Sequence, residues 1–321
     1  MTLGLRKRYE TGVLSAVVLF TSVPCTARAQ EGRLPIIDVH VHAYRADFLG
    51  PHPVNPVTGV PAVAATDREL QAASIAAMRR LNIVHAVAGG PLDIVAKWKG
   101  AEPDLVIASA VFPFPGGWPS VDSLRAAYQS GALQAMGELT LQYEGASLSS
   151  AEVEPYLALA EEMDIPVGVH MGLGPSGISY RAPCCPRFRA ALGNPLIIED
   201  ALVRHPKLRV YMMHAGFPYV EETIALMHAH PQLRVDLAGI DWLLPRAEFH
   251  EFLRRLLKHD DACKLAKRVM FGTDQVVWPE AFAMAVHNVE SADFVSAEQK
   301  RDIFCRNAAR FLGLKQRVCE R

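Results

Sequence analysis

The chain has 321 residues, of which 50% are hydrophobic and 21% are charged, so it carries ample apolar material for a large core. This composition excludes intrinsic disorder as the main state of the chain. Lysine and arginine total 33 against 34 for aspartate and glutamate, and this balance lacks the basic stripe that nucleic-acid binding requires.

The N-terminal segment has the pattern of an export signal. Residues 6–8 are basic, residues 12–23 form an apolar run, and residues 27–29 supply a small-x-small cleavage signal. The run is shorter than the ~20 residues that a membrane-spanning helix needs. We therefore expect a signal peptide over 1–29, followed by one mature domain over 30–321 that is periplasmic or secreted and has no membrane contact after cleavage.

Along the remaining chain, short apolar runs alternate with longer amphipathic segments. The runs are rich in valine and isoleucine, as expected for parallel strands buried on both faces. They are Pro35–Val41, Ile83–Ala88, Leu105–Val111, Leu133–Leu139, Pro166–Met171, Leu208–Met213, Leu233–Ala238 and Arg268–Phe271. The amphipathic segments include Asp67–Leu81, Val121–Gln129, Ala151–Asp164, Tyr219–Ala229 and Ala247–Lys258. Eight strands interleaved with helices predict a single α/β domain, a (β/α)₈ TIM barrel with its site at the C-terminal ends of the strands.

Metal-binding residue types recur at the predicted strand ends. The first strand ends in His40 and His42, whose i, i+2 spacing places both side chains on one face. Histidines and carboxylates also end four other strands: Glu138, His170, His214 and Asp274. Four histidines and two carboxylates on one rim predict a site for zinc or another first-row divalent ion.

The cysteine count leaves disulfide pairing open. Outside the predicted signal, five cysteines remain, which is an odd number for an oxidising compartment: Cys184, Cys185, Cys263, Cys305 and Cys319. The neighbours Cys184 and Cys185 could bond to each other only through a small ring, or either could pair with a distant cysteine. Since no C-x-x-C spacing indicates a thiolate metal site, we expect small buried or loop cysteines.

Several motifs together make a family recognisable. They are IIDVHVHAY at the first strand, MGE at the fourth, VHMG at the fifth, MMHAG at the sixth, FGTD at the eighth and the closing helix 307–314. On these residues the chain resembles the amidohydrolase superfamily, in the amidohydrolase-related branch (amidohydrolase 2) that includes aminocarboxymuconate-semialdehyde decarboxylase and related hydrolases. The resemblance implies one or two divalent ions per chain, Zn²⁺ or alternatively Mn²⁺. The ligands that it implies are His40, His42, His170 and Asp274, with His214 as a second-metal ligand or an acid/base.

Glu138 stands where many relatives carry a carboxylated lysine that bridges two metals. Some relatives use a glutamate as the bridge, and His170 and His214 would then complete a second site. In the alternative, Glu138 accepts a hydrogen bond from a ligand histidine or from a nearby arginine. Because the relatives that look most similar use one metal, we expect the hydrogen-bonding role for Glu138.

The ligand set predicts a hydrolase that cleaves a C–N or C–O bond of a small amide, ester or lactone through metal-activated water. Asp274 is expected to accept the proton of that water, and His214 to hold the water or stabilise an oxyanion. The alternative is a decarboxylase, a carbon–carbon lyase, acting on an aromatic or muconate-like acid. That reaction needs cationic side chains to hold the acid group, and the candidates are Arg45, Arg181, Arg187 and Arg189. A non-catalytic binding protein would predict gaps in the ligand set, and none is present.

Two long loops and several aromatic residues indicate where a small-molecule substrate binds. Residues 44–64 and 172–195 are long inserts of the kind that form lids or binding walls. Aromatic residues near the predicted strand ends suit an organic molecule with a ring or an apolar body. The substrate-binding residues that we expect are Arg45, Arg181, Trp118 and Trp278. The oligomeric state stays open, with a homodimer as one option.

Overall fold

The computed structural model describes residues 32–180, 184–258, 260 and 264–320. The predicted signal peptide over 1–29, Arg181 and Cys263 lie outside the described residues. Within the described ranges, no helix combines the length and apolar character that crossing a membrane requires.

Eight strands form one sheet at the centre of the fold. They are β1 Ile36–His42, β2 Ile83–Gly90, β3 Val106–Phe112, β4 Ala135–Leu139, β5 Val167–Val169, β6 Val210–Met212, β7 Arg234–Asp236 and β8 Val269–Met270. Each strand pairs in parallel with the next one along the chain. A backbone hydrogen bond of 3.0 Å from Val39 in β1 to the carbonyl of Phe271 joins the last strand to the first. The predicted (β/α)₈ barrel is confirmed.

Helical segments follow the strands, as the amphipathic pattern predicts. The α-helices in the described part are α1 Asp67–Arg80, α2 Leu92–Ala101, α3 Val121–Gln129, α4 Glu154–Glu162, α5 Glu199–Arg204, α6 Val220–Ala229, α7 Ile240–Leu243, α8 Arg246–Leu256, α9 Ala281–Glu290, α10 Ala297–Arg301 and α11 Asn307–Phe311. A π-helical segment, Asp302–Arg306, joins the last two. Short 3₁₀ turns occupy Leu141–Glu144, Ala151–Val153, Ile178–Tyr180, Ala190–Gly193, Pro195–Ile198, Met213–Gly216, Leu265–Arg268 and Gln316–Cys319.

Two groups of buried apolar side chains pack on the two faces of the sheet. The larger group lies between the strands and the helices, and Trp98, Phe249 and Phe282 are among its largest members. The smaller group packs inside the barrel and includes Ile37 and Val39 of β1. Burial on both faces explains why the strands read as nearly continuous apolar runs.

Two disulfides pair four of the cysteines. Cys305 in the π-helical segment bonds to Cys319, with Cα atoms 5.7 Å apart and a sequence separation of 14. The neighbours Cys184 and Cys185 bond to each other in the loop after β5. The sequence left the pairing open, and the structure settles it for these four cysteines, of which Cys185 and Cys305 are buried.

Replacing Cys319 with serine tests the first disulfide. A cross-link that closes a loop of this length stabilises a fold by about 3 kcal/mol, chiefly by restricting the unfolded chain. Under oxidising conditions we expect Cys319→Ser to lower the free energy of unfolding by ~3 kcal/mol in a urea titration. The difference in unfolding free energy between variant and parent should disappear when both are reduced, because reduction breaks the Cys305–Cys319 bond in the parent. A difference that persists in reducing buffer would contradict the cross-link.

Candidate metal centre

A β-bulge in β1 turns its two histidines into the barrel. Between Asp38 and Val41, three steps of β1 lie against two steps of β2. Ile37 belongs to the apolar group inside the barrel, so strict alternation would send His40 and His42 to the opposite face. The extra residue shifts the alternation, and both imidazoles enter the barrel mouth.

A second bulge does the same for the carboxylate of β4. Between Met136 and Leu139, three steps of β4 lie against two steps of β3. Met136 and Leu139 both pack in the outer apolar group although they are three residues apart. Gly137 and Glu138 take up the shift, and Glu138 enters the barrel mouth at 7% exposure.

The first group of potential ligands joins β1, β4 and the end of β8. His42 Nε2 lies 2.8 Å from Asp274 Oδ1 and 3.5 Å from Glu138 Oε2. His40 Nε2 lies 3.7 Å from the same Glu138 oxygen and 3.9 Å from Asp274 Oδ1. Two imidazole nitrogens and two carboxylate oxygens thus surround one small volume.

The second group uses the other oxygen of Glu138. His170 Nδ1 lies 2.6 Å from Glu138 Oε1, and His214 Nε2 lies 3.1 Å from His170 Nδ1. His214 Nε2 is 3.7 Å from Glu138 Oε1. The sequence grouped His170 with His40, His42 and Asp274, whereas the structure places it with His214 and Glu138.

The residues fit a metal ion because one imidazole nitrogen between the carboxylates has no hydrogen-bond partner in the structure. His40 Nε2 is buried and makes no hydrogen bond, although two carboxylate oxygens lie less than 4 Å away. A buried polar atom without a partner is costly, and metal coordination would remove that cost. Imidazole nitrogens with carboxylate oxygens are ligands of zinc and other first-row divalent ions.

The two carboxylates of the site are held in their charged form, which suits a cation. Burial raises the pKa of Glu138, but the surrounding histidines, above all His170 through its hydrogen bond, outweigh it and hold that pKa well below the usual range. Burial likewise raises the pKa of Asp274, and the charges of His40 and His42 together with a hydrogen bond from His42 lower it overall. Burial lowers the pKa of His170, which favours the neutral imidazole that binds metals.

Asp236, at the end of β7, is a site residue that the sequence interpretation missed. Its Oδ2 lies 3.2 Å from His40 Nδ1, and its Oδ1 accepts the backbone N–H groups of His214 at 2.8 Å and Ala238 at 3.1 Å. One carboxylate therefore orients a histidine of each group. The detectable signal was an acid inside the apolar run 233–238, where a buried charge needs partners.

The seam between β8 and β1 is closed by side chains beside the site. Asp38 accepts hydrogen bonds from the backbone N–H groups of His40 and Thr273, both at 3.0 Å, and from the Thr273 hydroxyl. Burial raises the pKa of Asp38 to about 7, although these hydrogen bonds oppose the shift. Gln275 accepts from the backbone N–H of His42 at 3.0 Å and donates to its carbonyl at 2.6 Å. Barrel closure and ligand placement therefore depend on the same contacts.

The expected arginine contacts are engaged elsewhere or lie outside the described chain. Arg45 donates to Asp67 at 3.3 Å and to Asp93 at 3.0 Å on the exposed surface, so it holds two helix starts together. Arg181 is not among the described residues. Arg187 pairs with Glu144, and Arg189 donates to the carbonyls of Pro186 and Phe188.

The two expected tryptophans have different surroundings. Trp278 is 7% exposed, donates its Nε1–H to the carbonyl of Pro53 at 3.0 Å and contacts Trp242, so it packs the core rather than lining an open pocket. Trp118 is 39% exposed and borders a pocket of about 420 Å³. The prediction for Trp278 is therefore replaced by a packing role.

A family model described as Amidohydrolase matches residues 37–314. The chain belongs to this amidohydrolase family. Enzymes of the family are metal-dependent, which agrees with the donor groups of this amidohydrolase.

Solved structures show that other proteins share this fold, and one curated protein is similar in sequence over part of the chain. A probable 2-pyrone-4,6-dicarboxylic acid hydrolase from Acinetobacter baumannii is 14% identical, with a TM-score of 0.60 and coverage of 88% of this chain and 100% of that one. A 2,6-dihydroxybenzoate decarboxylase from Rhizobium is 14% identical, with a TM-score of 0.58 and coverage of 87% and 99%. The protein fluG of Emericella nidulans is 23% identical over 120 residues, which span 37% of this chain but only 12% of that protein.

Gly239 offers a test of how tightly the amidohydrolase site is packed. Its φ is +72°, and an added β-carbon would lie 3.1 Å from Asp274 Oδ2 and 3.3 Å from His214 Nδ1. We expect Gly239→Ala to weaken metal binding by roughly tenfold or more, since the added β-carbon must push the Asp274 carboxylate and the His214 ring away from their positions.

Gly59→Ala is the matched control, because Gly59 has a φ of +71° and nothing within 4 Å of the added carbon. Both variants carry the same backbone penalty, but only Gly239→Ala should lose metal when affinity is measured by competition with a chelating dye. Equal metal affinity in the two variants would show that the packing around Gly239 does not shape the site.

Proposed function

We propose that the chain is a hydrolase with two divalent ions, which cleaves a C–N or C–O bond in a small amide, ester or lactone. The observation that carries the proposal is the position of Glu138. Its Oε2 faces His40 and His42, while its Oε1 faces His170 and His214. A carboxylate with one oxygen toward each histidine pair has the arrangement of a bridge, in contrast to the hydrogen-bonding role that the sequence favoured.

The donor atoms divide between the two ions without conflict. One ion would be held by His40, His42, Asp274 and Glu138, and the other by Glu138, His170 and His214. Bound ions of this kind lower the pKa of water from 15.7 to about 7 and so supply a nucleophile at neutral pH. The mixed nitrogen and oxygen donors suit Zn²⁺ best, with Mn²⁺ as the alternative.

Asp274 is the residue best placed to move a proton. Its side chain is 16% exposed, against 8% or less for Glu138, His40 and His42, so it reaches the substrate side of the site. Its lowered pKa keeps it ionised and able to accept a proton from the attacking water. The same carboxyl group can then donate that proton to the leaving group. His214, held by a 2.8 Å contact between its Nδ1 and the carbonyl of Ala238, lies on the opposite side of Glu138.

The charges around the site favour a neutral substrate. No lysine or arginine of the described chain contacts Glu138, Asp274, Asp236 or Asp38. The proposed ions would compensate Glu138 and Asp274, but an acid group away from the reacting bond would still need a lysine or arginine to hold it, and none lies beside these carboxylates in the described chain. Hydrolysis of a neutral amide, ester or lactone has no such requirement, so it is better supported than decarboxylation.

We further propose that the enzyme works outside the cytoplasm. Residues 1–29 have the pattern of an export signal, and the Cys305–Cys319 disulfide suits an oxidising compartment. Fusing residues 1–35 to a reporter that is active only after export should give signal and cleavage near Gln30. A matched fusion without residues 12–23 should give none. A cytoplasmic product that retains its N-terminus would refute export.

Replacing Glu138 with glutamine tests the two-metal proposal. The substitution keeps the size of the side chain and removes the charge that both ions share. We expect two ions per chain in the parent and at most one in Glu138→Gln, with hydrolysis reduced by at least roughly 100-fold. Elemental analysis of gel-filtered protein measures the stoichiometry, and circular dichroism checks the fold.

Glu248→Gln is the charge-matched control, since Glu248 lies exposed in the first turn of α8. It should bind two ions and retain full activity. A parent with a single ion that Glu138→Gln also retains would contradict the bridge and favour the hydrogen-bonding role of Glu138.

A further inference from the structure

The pocket that Trp118 borders lies on the same face of the barrel as the metal donors. Its volume is about 420 Å³, which is within the usual range of ~300–1,000 Å³ for small-molecule sites. Its walls come from the segments after β3, β4 and β5 and from α4. The lining residues in the described chain are Trp118, Glu144, Ala146, Glu152, Tyr156 and Arg187.

One wall of the pocket is an aromatic corner. The rings of Trp118 and Tyr156 lie 5.4 Å apart at 43°, and both pack on Phe112, at 5.9 and 5.0 Å. The Tyr156 hydroxyl donates to the carbonyl of Pro119 at 2.8 Å, which fixes its ring. Tyr156 and Phe112 are buried, whereas Trp118 remains 39% exposed. The corner therefore presents a fixed indole to an incoming group.

The charged residues of the pocket leave an excess of negative charge. Arg187 forms an ion pair with Glu144, so its charge is compensated within the pocket wall. Glu152 is exposed, and no lysine or arginine of the described chain pairs with it. An exposed indole beside an uncompensated carboxylate attracts an organic cation and repels an anion.

The pocket adjoins the second histidine pair. Tyr143, next to Glu144 in the chain, packs edge-on against His170 with ring centroids 5.0 Å apart. Phe112, which supports the aromatic corner, pairs in the sheet with Leu139, the residue after Glu138. One layer of side chains thus separates the pocket from the donor atoms.

We propose that this pocket is a binding site for a small organic cation, such as an alkylammonium group, outside the metal centre. The inference goes beyond the proposed hydrolase function and does not depend on it. The cation lies against the Trp118 ring and faces Glu152, one layer of side chains away from the metal donors. Anions are rejected by the same two features.

Equilibrium binding of three matched probes tests the binding site without any need for turnover. Choline carries a trimethylammonium group, 3,3-dimethylbutan-1-ol is its neutral isostere, and 3,3-dimethylbutanoate is an anion of similar shape. With the metal-loaded protein, isothermal titration should show choline binding roughly tenfold tighter than the alcohol, and no binding of the anion. Trp118→Ala should remove the preference for choline, and Glu152→Gln should reduce it severalfold.

Two controls separate this proposal from the proposed function. Glu248→Gln changes an exposed charge on another helix and should leave the choline preference intact. Chelator-treated protein should bind choline as tightly as the metal-loaded protein, because no lining residue of the pocket is a proposed ligand. Equal affinities for choline and the alcohol, or a preference that survives Trp118→Ala, would overturn the binding site. That result would leave the metal stoichiometry, and with it the two-metal hydrolase, untouched.

Discussion

The carboxylate of Glu138 lies between two pairs of histidines, and the surrounding structure is arranged to hold it there. A carboxylate at this depth needs partners for both oxygens, and the four imidazoles supply them. The bulge in β4 brings Glu138 into the barrel, and the bulge in β1 brings the facing histidines into reach. If β1 and β4 were regular strands without these bulges, His40, His42 and Glu138 would point toward the helices instead of into the barrel.

The fold and the site share their supporting contacts. Asp38 accepts hydrogen bonds from Thr273 and from the backbone N–H of His40, and Gln275 binds the backbone of His42, so the contacts that join β8 to β1 also hold the two β1 histidines. Asp236 extends this support to His40 and His214. Because each acid is buried and makes several hydrogen bonds, losing one would leave donors unsatisfied and would move a ligand at the same time. Stability and metal binding are therefore coupled in this barrel.

The barrel and the six histidines and carboxylates at its strand ends could be predicted from the sequence. Hydrophobic periodicity, the length of each apolar run and the residues at its end are all local properties of the chain. Plain alternation along β1 correctly predicts that the side chains of His40 and His42 lie on the same face of the strand. The bulge that turns both side chains into the barrel could not be predicted from the sequence. Arg45 resembled a substrate contact, whereas its partners Asp67 and Asp93 lie 22 and 48 residues further along the chain, in α1 and α2, and only the fold brings them close. Trp278 was misjudged for the same reason, since burial depends on tertiary packing. The sequence interpretation gave the grouping of His170 with His214 only as an alternative, and choosing it required the three-dimensional positions.

The most direct test of the central claim is a crystal structure of the Zn²⁺-loaded protein, with anomalous scattering measured at the zinc edge. The account predicts two anomalous peaks per chain on opposite sides of the Glu138 carboxylate, one bound by His40 and His42 and the other by His170 and His214. A single peak beside His40, His42 and Asp274, with Glu138 bound only to His170 through a hydrogen bond, would contradict it.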